Sequence, residues 1–220
     1  MMVMVSNQTG KRFDPLADAY YPYGLIGHLY SPEGLPSKPR ARYPYSIDNF
    51  AYSCWKNNIP WDAGKYLDFC DEVATFEQPP MWAVVPDVVG DREGTLYSWS
   101  QWAKFLRNRY KWQLAFAVQD GMTVDDVPKD HDVVFVGGTM TWKLNTMHKW
   151  CHTYGRVHVA RVNRPWLLYR CDELGVESVD GTGWYHEKSG QYAGLCEWLS
   201  SKVGGTSDYY AQQQMEYGVA

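Results

Sequence analysis

Apolar residues along this chain fall into short runs that stop on a carboxylate, an amide or a pair of glycines. The runs are Tyr45-Ser-Ile-Asp48, Trp82-Ala-Val-Val-Pro-Asp87, Leu114-Ala-Phe-Ala-Val-Gln119, Val133-Val-Phe-Val-Gly137-Gly138 and Val176-Glu-Ser-Val-Asp180. Runs of this length, rich in Val and bounded by turn residues, predict strands. Leu25 to Leu29 and the alternating segment Arg156 to Val162 predict two more. Between them the spacing changes to three and four. Tyr66, Leu67, Cys70 and Val73 share one helical face behind Asp62 as N-cap. Leu96, Trp99, Ala103, Leu106 and Tyr110 form the stripe of the clearest helix, from Glu93 to Tyr110, with Asp91 as its cap. Lys143 to Tyr154 predicts a third helix, stopped by a left-handed Gly155. Trp166 to Leu174 predicts a fourth, with Asn163 as N-cap, Pro165 in the first turn and Gly175 at its end. Tyr20 to Tyr45, rich in Pro, Tyr and Gly, otherwise predicts irregular loop, and Asp120 to Pro128 a polar linker.

Strands alternating with helices through short connections predict an α/β fold with parallel strands and right-handed crossovers. The expected architecture is a compact TIM-type (β/α)8 barrel. Seven strands can be counted where eight are needed, so one is irregular, missing or hidden in a terminal stretch. At 220 residues the chain suits one domain, expected over residues 1–204. The polar residues 205–220 are expected to be a fraying tail.

A formal net charge of −4 rules out a broadly basic surface, so any nucleic acid would need a local cationic patch. The 11 Trp and 17 Tyr suit core packing first and base stacking second. Five cysteines, none in a CxxC pair, predict free thiols in a reducing cytoplasm. The N-terminal residues predict neither a signal peptide nor a membrane span.

In a parallel barrel the C-terminal strand ends converge on one mouth, where chemistry is done. That geometry would gather Asp48, Asp87, Gln119 and Asp180 beside the Gly137-Gly138 backbone. Two carboxyls in one site offer a nucleophile and a general acid/base, because like charges drive their pKa values apart. Gln119 and a further Asp can read the donor and acceptor edge of a flat heterocycle. Glycines let a ligand approach backbone amides.

The segments Ile47-Asp48-Asn49-Phe50-Ala51-Tyr52, Val85-Pro86-Asp87, Ala117-Val118-Gln119-Asp120-Gly121, Val136-Gly137-Gly138 and Ser178-Val179-Asp180-Gly181 follow one another in the order seen in the tRNA-guanine transglycosylase superfamily. The chain resembles that superfamily from about residue 45 to 183. The resemblance implies Asp180 as the nucleophile at the anomeric carbon and Asp48 as general acid/base. It also implies a base pocket of Asp87, Gln119, Gly137 and Gly138. The tRNA enzymes carry a cysteine-rich zinc motif after the nucleophile. Here only Cys196 and His186 follow Asp180, which implies no metal and no zinc subdomain. Asn49-Phe50 also replaces the family's Ser-Gly-Gly turn. The short, zinc-free chain looks like the phage and bacterial enzymes that exchange guanine in DNA for a 7-deazaguanine. The resemblance therefore implies DNA and a free 7-deazaguanine base as partners, tRNA less so, with base flipping and no cofactor. The setting would be the cytoplasm, the host's if the gene is a phage's. Lys143, Arg161, Arg164, Arg40 and Arg42, with Lys38, are the expected backbone contacts.

Plainer readings stand beside each of these. Asp180 can be a turn residue, Asp48 an Asx turn and Gln119-Asp120-Gly121 a turn alone. Asp87 and Asp91 compete for the pocket and the helix cap, with Asp87 preferred for the pocket. His148, Cys151 and His152 read as packing or surface residues before metal ligands. Trp142 and Trp184 can stack on a ligand or pack in the core. Competing activities are a hydrolytic DNA glycosylase, a tRNA transglycosylase and a non-catalytic nucleic-acid-binding subunit.

Overall fold

A computed structural model describes residues 1–6, 13–34, 43–184 and 190–204. Eight parallel strands form one closed barrel in sequence order: β1 (Met2–Ser6), β2 (Ile26–Tyr30), β3 (Tyr45–Ile47), β4 (Ala83–Val84), β5 (Leu114–Val118), β6 (Val133–Val136), β7 (Val157–Val159) and β8 (Ser178–Gly181). Around them lie α1 (Phe13–Tyr20), α2 (Ala51–Lys56), α3 (Ala63–Val73), α4 (Arg92–Tyr110), α5 (Met140–Thr153), α6 (Pro165–Glu173) and α7 (Gln191–Lys202). This is the (β/α)8 barrel expected. β5 and β6 are joined without an α-helix, through one 3₁₀ turn at Val124–Asp126, in agreement with the polar linker read there.

The missing eighth strand is β1. Its apolar run Met2-Val-Met-Val5 pairs with β2 on one side and β8 on the other. Alternate residues face opposite sides of the barrel wall. Val3 and Val5 join the outer core beneath the helices, whereas Met2 and Met4 join the inner core with Leu29, Trp82, Val84, Ala115, Ala117, Val133 and Phe135. Because both faces are buried, the strands read as continuous apolar runs, as in Leu114-Ala-Phe-Ala-Val118. Trp150, Trp184 and Trp198 are fully buried and pack in the outer layer. Trp184 is thereby a core residue, and Trp142 is half-buried against the same cluster.

Several boundaries move from the sequence reading. Asp62 and Asp91 cap α3 and α4 as expected, accepting from the Lys65 and Gly94 amides. α5 starts three residues earlier than predicted. Its cap, Thr139, accepts from the Trp142 amide and is itself fixed by the Asp120 carboxylate. α5 ends without a left-handed residue, since Tyr154 has φ −120 and Gly155 does not take positive φ. Asn163 does not cap α6. Arg164 occupies that position, Pro165 supplies the first turn, and the Asn163 side chain instead accepts from the Gly183 amide at 2.7 Å. β8 begins two residues later than predicted and runs through Asp180.

The wall is thinnest between β3 and β4, which share the single register pair Ile47↔Ala83. Side chains take over where the ladder stops. Asn49 Nδ2 donates to the Val85 carbonyl at 3.0 Å, and Trp61 Nε1 donates to the Asn49 carbonyl at 2.8 Å.

Gly27 in β2 has no room for a side chain. A Cβ there would sit 2.6 Å from the Pro44 carbonyl oxygen and 2.8 Å from the Met2 sulfur. The Pro44 oxygen is held by the His28 amide, so backbone must move. Gly27→Ala is expected to destabilise the fold by about 1–3 kcal/mol and lower Tm by roughly 2–4 °C per kcal/mol. A thermal melt with an unchanged midpoint would show that this wall is compliant.

Candidate active site at the barrel mouth

The C-terminal strand ends open on a cavity of about 390 Å3 lined by Asp48, Asp87, Gln119, Gly137, Arg161 and Asp180, among others. The barrel's alternation brings these groups together. In β8, Val179 packs outward while Ser178 and Asp180 are buried on the other face. In β7, Val157 and Val159 pack outward and leave His158 buried in the barrel.

Asp180 is held more firmly on one oxygen than on the other. Its Oδ1 accepts from the Arg161 amide at 3.0 Å and lies 3.0 Å from His158 Nε2. Among the described residues, its Oδ2 meets only the Ser6 hydroxyl, at 3.4 Å. His158 is fixed in turn, with Nδ1 2.9 Å from the Ser178 hydroxyl and its ring stacked on Phe135 and edge-on to Trp82. The Arg161 amide reaches Asp180 because this residue adopts φ 58, a left-handed backbone that costs a non-glycine residue about 1–2 kcal/mol. Burial by itself would raise the Asp180 carboxyl. The His158 hydrogen bond and charge, the Arg161 amide and the Lys143 charge outweigh it and hold the group below its ordinary range.

Asp48 follows β3 and faces the same cavity in a different electrostatic state. Burial pushes its carboxyl up to about 7, and the negative charge of Asp180 adds to this against the opposing Phe50 amide. Its Oδ1 accepts from that amide at 3.1 Å, with Phe50 in the left-handed region at φ 68. The Asx turn and the cavity position therefore coexist. One carboxyl is kept ionised and the other is poised to hold a proton near neutrality, which is how paired carboxyls divide acid and nucleophile roles.

The third group is a carboxyl flanked by amides. Asp87 Oδ1 accepts from Asn49 Nδ2 at 2.8 Å, and its Oδ2 accepts from Gln119 Nε2. Gln119 Oε1 accepts from the Gly90 amide at 3.4 Å. Burial raises the Asp87 carboxyl, opposed by Asn49, Gln119 and the charge of Arg161. Asp91 is the helix cap, as preferred from the sequence.

The remaining expected site residues separate. Gly137 lines the cavity, but its amide is taken by the Val118 and Phe135 carbonyls and does not supply the donor expected of it. Gly138 does not line the cavity. Its carbonyl accepts from the Arg161 guanidinium. Lys143 is fully buried, with Nζ donating to the Ala160 carbonyl, and a phosphate contact needs an exposed cation. Arg161 lines the cavity, with its guanidinium 4.1 Å over the Tyr52 ring. Arg164 is exposed at the start of α6, outside the cavity lining. Arg40, Arg42, Lys38 and His186 lie outside the described residues. Among the described residues, no three His, Cys, Asp or Glu side chains gather as a metal site and no helix is long and apolar enough to cross a membrane.

His158, Ser178, Ser6 and Asn49 were not read as site residues from the sequence. A signal existed for His158, a polar residue between two valines in a strand otherwise apolar on both sides. Ser178 shares the parity of Asp180. Ser6 was hidden with β1.

No family model and no curated protein matches the chain. Among the solved structures, one match is described as the crystal structure of a 3-hexulose-6-phosphate synthase, at 10% identity and a TM-score of 0.48, covering 91% of this chain and 99% of that one. The expectation of guanine exchange in DNA is corrected here, together with its hydrolytic and tRNA variants. That structure is described as a synthase of a different function, and no family model or curated protein supports base exchange. The short segments that carried the resemblance describe a barrel mouth without identifying its substrate.

Two expected outcomes follow from the electrostatics. Burial, with Arg161 next, pushes the Lys143 ammonium down from 10.5 to about 7. The unfolded chain therefore holds one more proton than the native state between those values, and stability rises with pH across that window. Lys143→Met should flatten the unfolding free energy from pH 7 to 10, measured by denaturant titration, and an unchanged slope would mean that Lys143 is charged in place. His158→Leu should raise the Asp180 carboxyl, followed by its carbon-13 NMR titration, unless the Arg161 amide alone holds the group.

Proposed function

We propose that the barrel mouth is the active site of an enzyme that transfers a glycosyl group from a small N-glycoside, with Asp180 as nucleophile and Asp48 as general acid/base. The observation that carries this reading is the pair of oppositely tuned carboxyls facing one cavity. Asp180 Oδ2, the less occupied oxygen, forms a bond to the anomeric carbon as the bond to the leaving nitrogen breaks. The Asp48 proton passes to that nitrogen. An acceptor hydroxyl or water then attacks the glycosyl ester, gives its proton to Asp48 and frees Asp180, so that one difficult displacement becomes two easier ones. Asp87, flanked by Asn49 and Gln119, offers carboxylate and amide groups at which a flat leaving group with neighbouring N–H and C=O can be oriented. A cavity of about 390 Å3 is of the size that encloses one small molecule.

The test is a panel of small nucleosides and p-nitrophenyl glycosides, with acid quenching and mass spectrometry of the Asp180 peptide. A glycosyl ester on Asp180 is expected. Asp180→Ala should lose turnover on the order of 10⁴-fold or more. Asp48→Asn should lose roughly 10²–10⁴-fold on nucleosides but far less on p-nitrophenyl glycosides, whose leaving group needs no proton. A raised carboxyl is protonated below its pKa, so nucleoside turnover should fall as pH rises through about 7 and lose that limb in Asp48→Asn. Full turnover by Asp180→Ala would overturn the reading.

A further inference from the structure

The cavity lining mixes acidic, amide and cationic groups. Asp48, Asp87, Asn49 and Gln119 supply its carboxyls and amides, with Asp180. Cations and neutral donors also line it: Arg161 after β7, Lys56 and Ser53 from α2, Asn57 just beyond it, and Thr182 after β8. Three carboxyls line this cavity, yet neither Arg161 nor Lys56 forms an ion pair with a carboxylate among the described residues. Elsewhere on the protein, Arg92, Arg107, Arg109 and Arg156 all do.

Arg161 is also positioned rather than free. Its guanidinium lies over the Tyr52 ring and donates one Nη2 hydrogen to the Gly138 carbonyl, leaving other donors of a rigid fork available. A guanidinium held in this way matches the paired oxygens of a phosphate, and an ammonium nearby adds a point charge. The same residue turns its amide onto Asp180 through a left-handed backbone. An anion bound by the side chain would therefore sit within one residue of the group that attacks the anomeric carbon.

Building on the glycosyl-transfer reading, we infer that the substrate is phosphorylated, a sugar phosphate glycoside of the nucleoside monophosphate type, with its phosphate monoester held by Arg161 and Lys56. The flat leaving group then meets Asp87, Asn49 and Gln119, and the sugar lies over Asp180. Phosphate binding fixes the sugar's position relative to the nucleophile, so the anion contributes to orientation as well as affinity.

The experiment is calorimetric titration of the whole protein with ribose 5-phosphate and with ribose, repeated for Arg161→Gln, Lys56→Ala and Asp180→Ala. Ribose 5-phosphate should bind at least about tenfold more tightly than ribose, the gain expected of charge-assisted hydrogen bonds, and the gain should shrink with added salt. Arg161→Gln should remove most of that preference. Lys56→Ala should weaken it by a few fold and, lying at an exposed position of α2, separates lost binding from lost folding, which a thermal melt checks for Arg161→Gln. Asp180→Ala should keep the preference. Equal binding of the two sugars by the wild-type protein, or a preference that survives both cation substitutions, overturns the proposal. A glycosyl ester on Asp180 from unphosphorylated nucleosides together with equal sugar binding would remove the phosphate site and leave glycosyl transfer intact. A phosphate preference with no ester from any substrate would do the reverse.

Discussion

Closure of the barrel by the β1–β8 ladder is the constraint on which everything else rests. The register Met4↔Asp180 and Val5↔Gly181 decides which residues of both strands face inward, because a slip of one residue in a parallel pair reverses every side chain. With this register, Ser6 and Asp180 point into the same space, and the β7–β8 pair His158↔Ser178 sets the histidine beside them. A sheet left open between β1 and β8 would present two unpaired edges and no enclosed mouth.

The enclosed mouth turns similar groups into different ones. Asp48 and Asp180 are both carboxyls at strand ends, and burial acts on each in the same direction. Their neighbours differ. Asp180 receives an amide and an imidazole on one oxygen, whereas Asp48 has the Phe50 amide and faces the charge of Asp180. In a low-dielectric setting each such contact counts for more than it would in water. The apolar floor of Trp82, Phe135 and Leu29 is thus part of the electrostatics.

Much of the architecture was legible along the chain because burial on both faces writes itself as continuous apolar runs, and helix faces write themselves at three- and four-residue spacing. β6 was read to its printed limits and α4 to within one residue at its start. Asp62, Asp91, Pro165 and Gly175 were read as helix punctuation, and each acts so. β1 was lost because a five-residue strand at a chain end carries no flanking pattern. α2 and α7 were lost because their apolar spacing is weak and their start signals are absent: Phe50 and Gly190 precede them in left-handed backbone without a side-chain cap. Lys143 was misjudged because a lysine near a glycine turn reads as exposed, and only the packing of α5 onto β7 shows it donating inward to Ala160.

The sequence by itself determined the barrel class, the order of its strands after the first, and the convergence of Asp48, Asp87, Gln119 and Asp180. These follow from local pattern and from the topology that parallel strands permit. Only the tertiary structure decided how those groups divide their work. The hydrogen bonds of His158 and Arg161 to Asp180, the Asn49 and Gln119 clamp on Asp87, the withdrawal of Gly138 and Lys143, and the placing of Arg161 and Lys56 in one cavity lining depend on contacts between distant segments. A pKa or a hydrogen bond is set by what stands within a few ångströms, and sequence order does not record that distance.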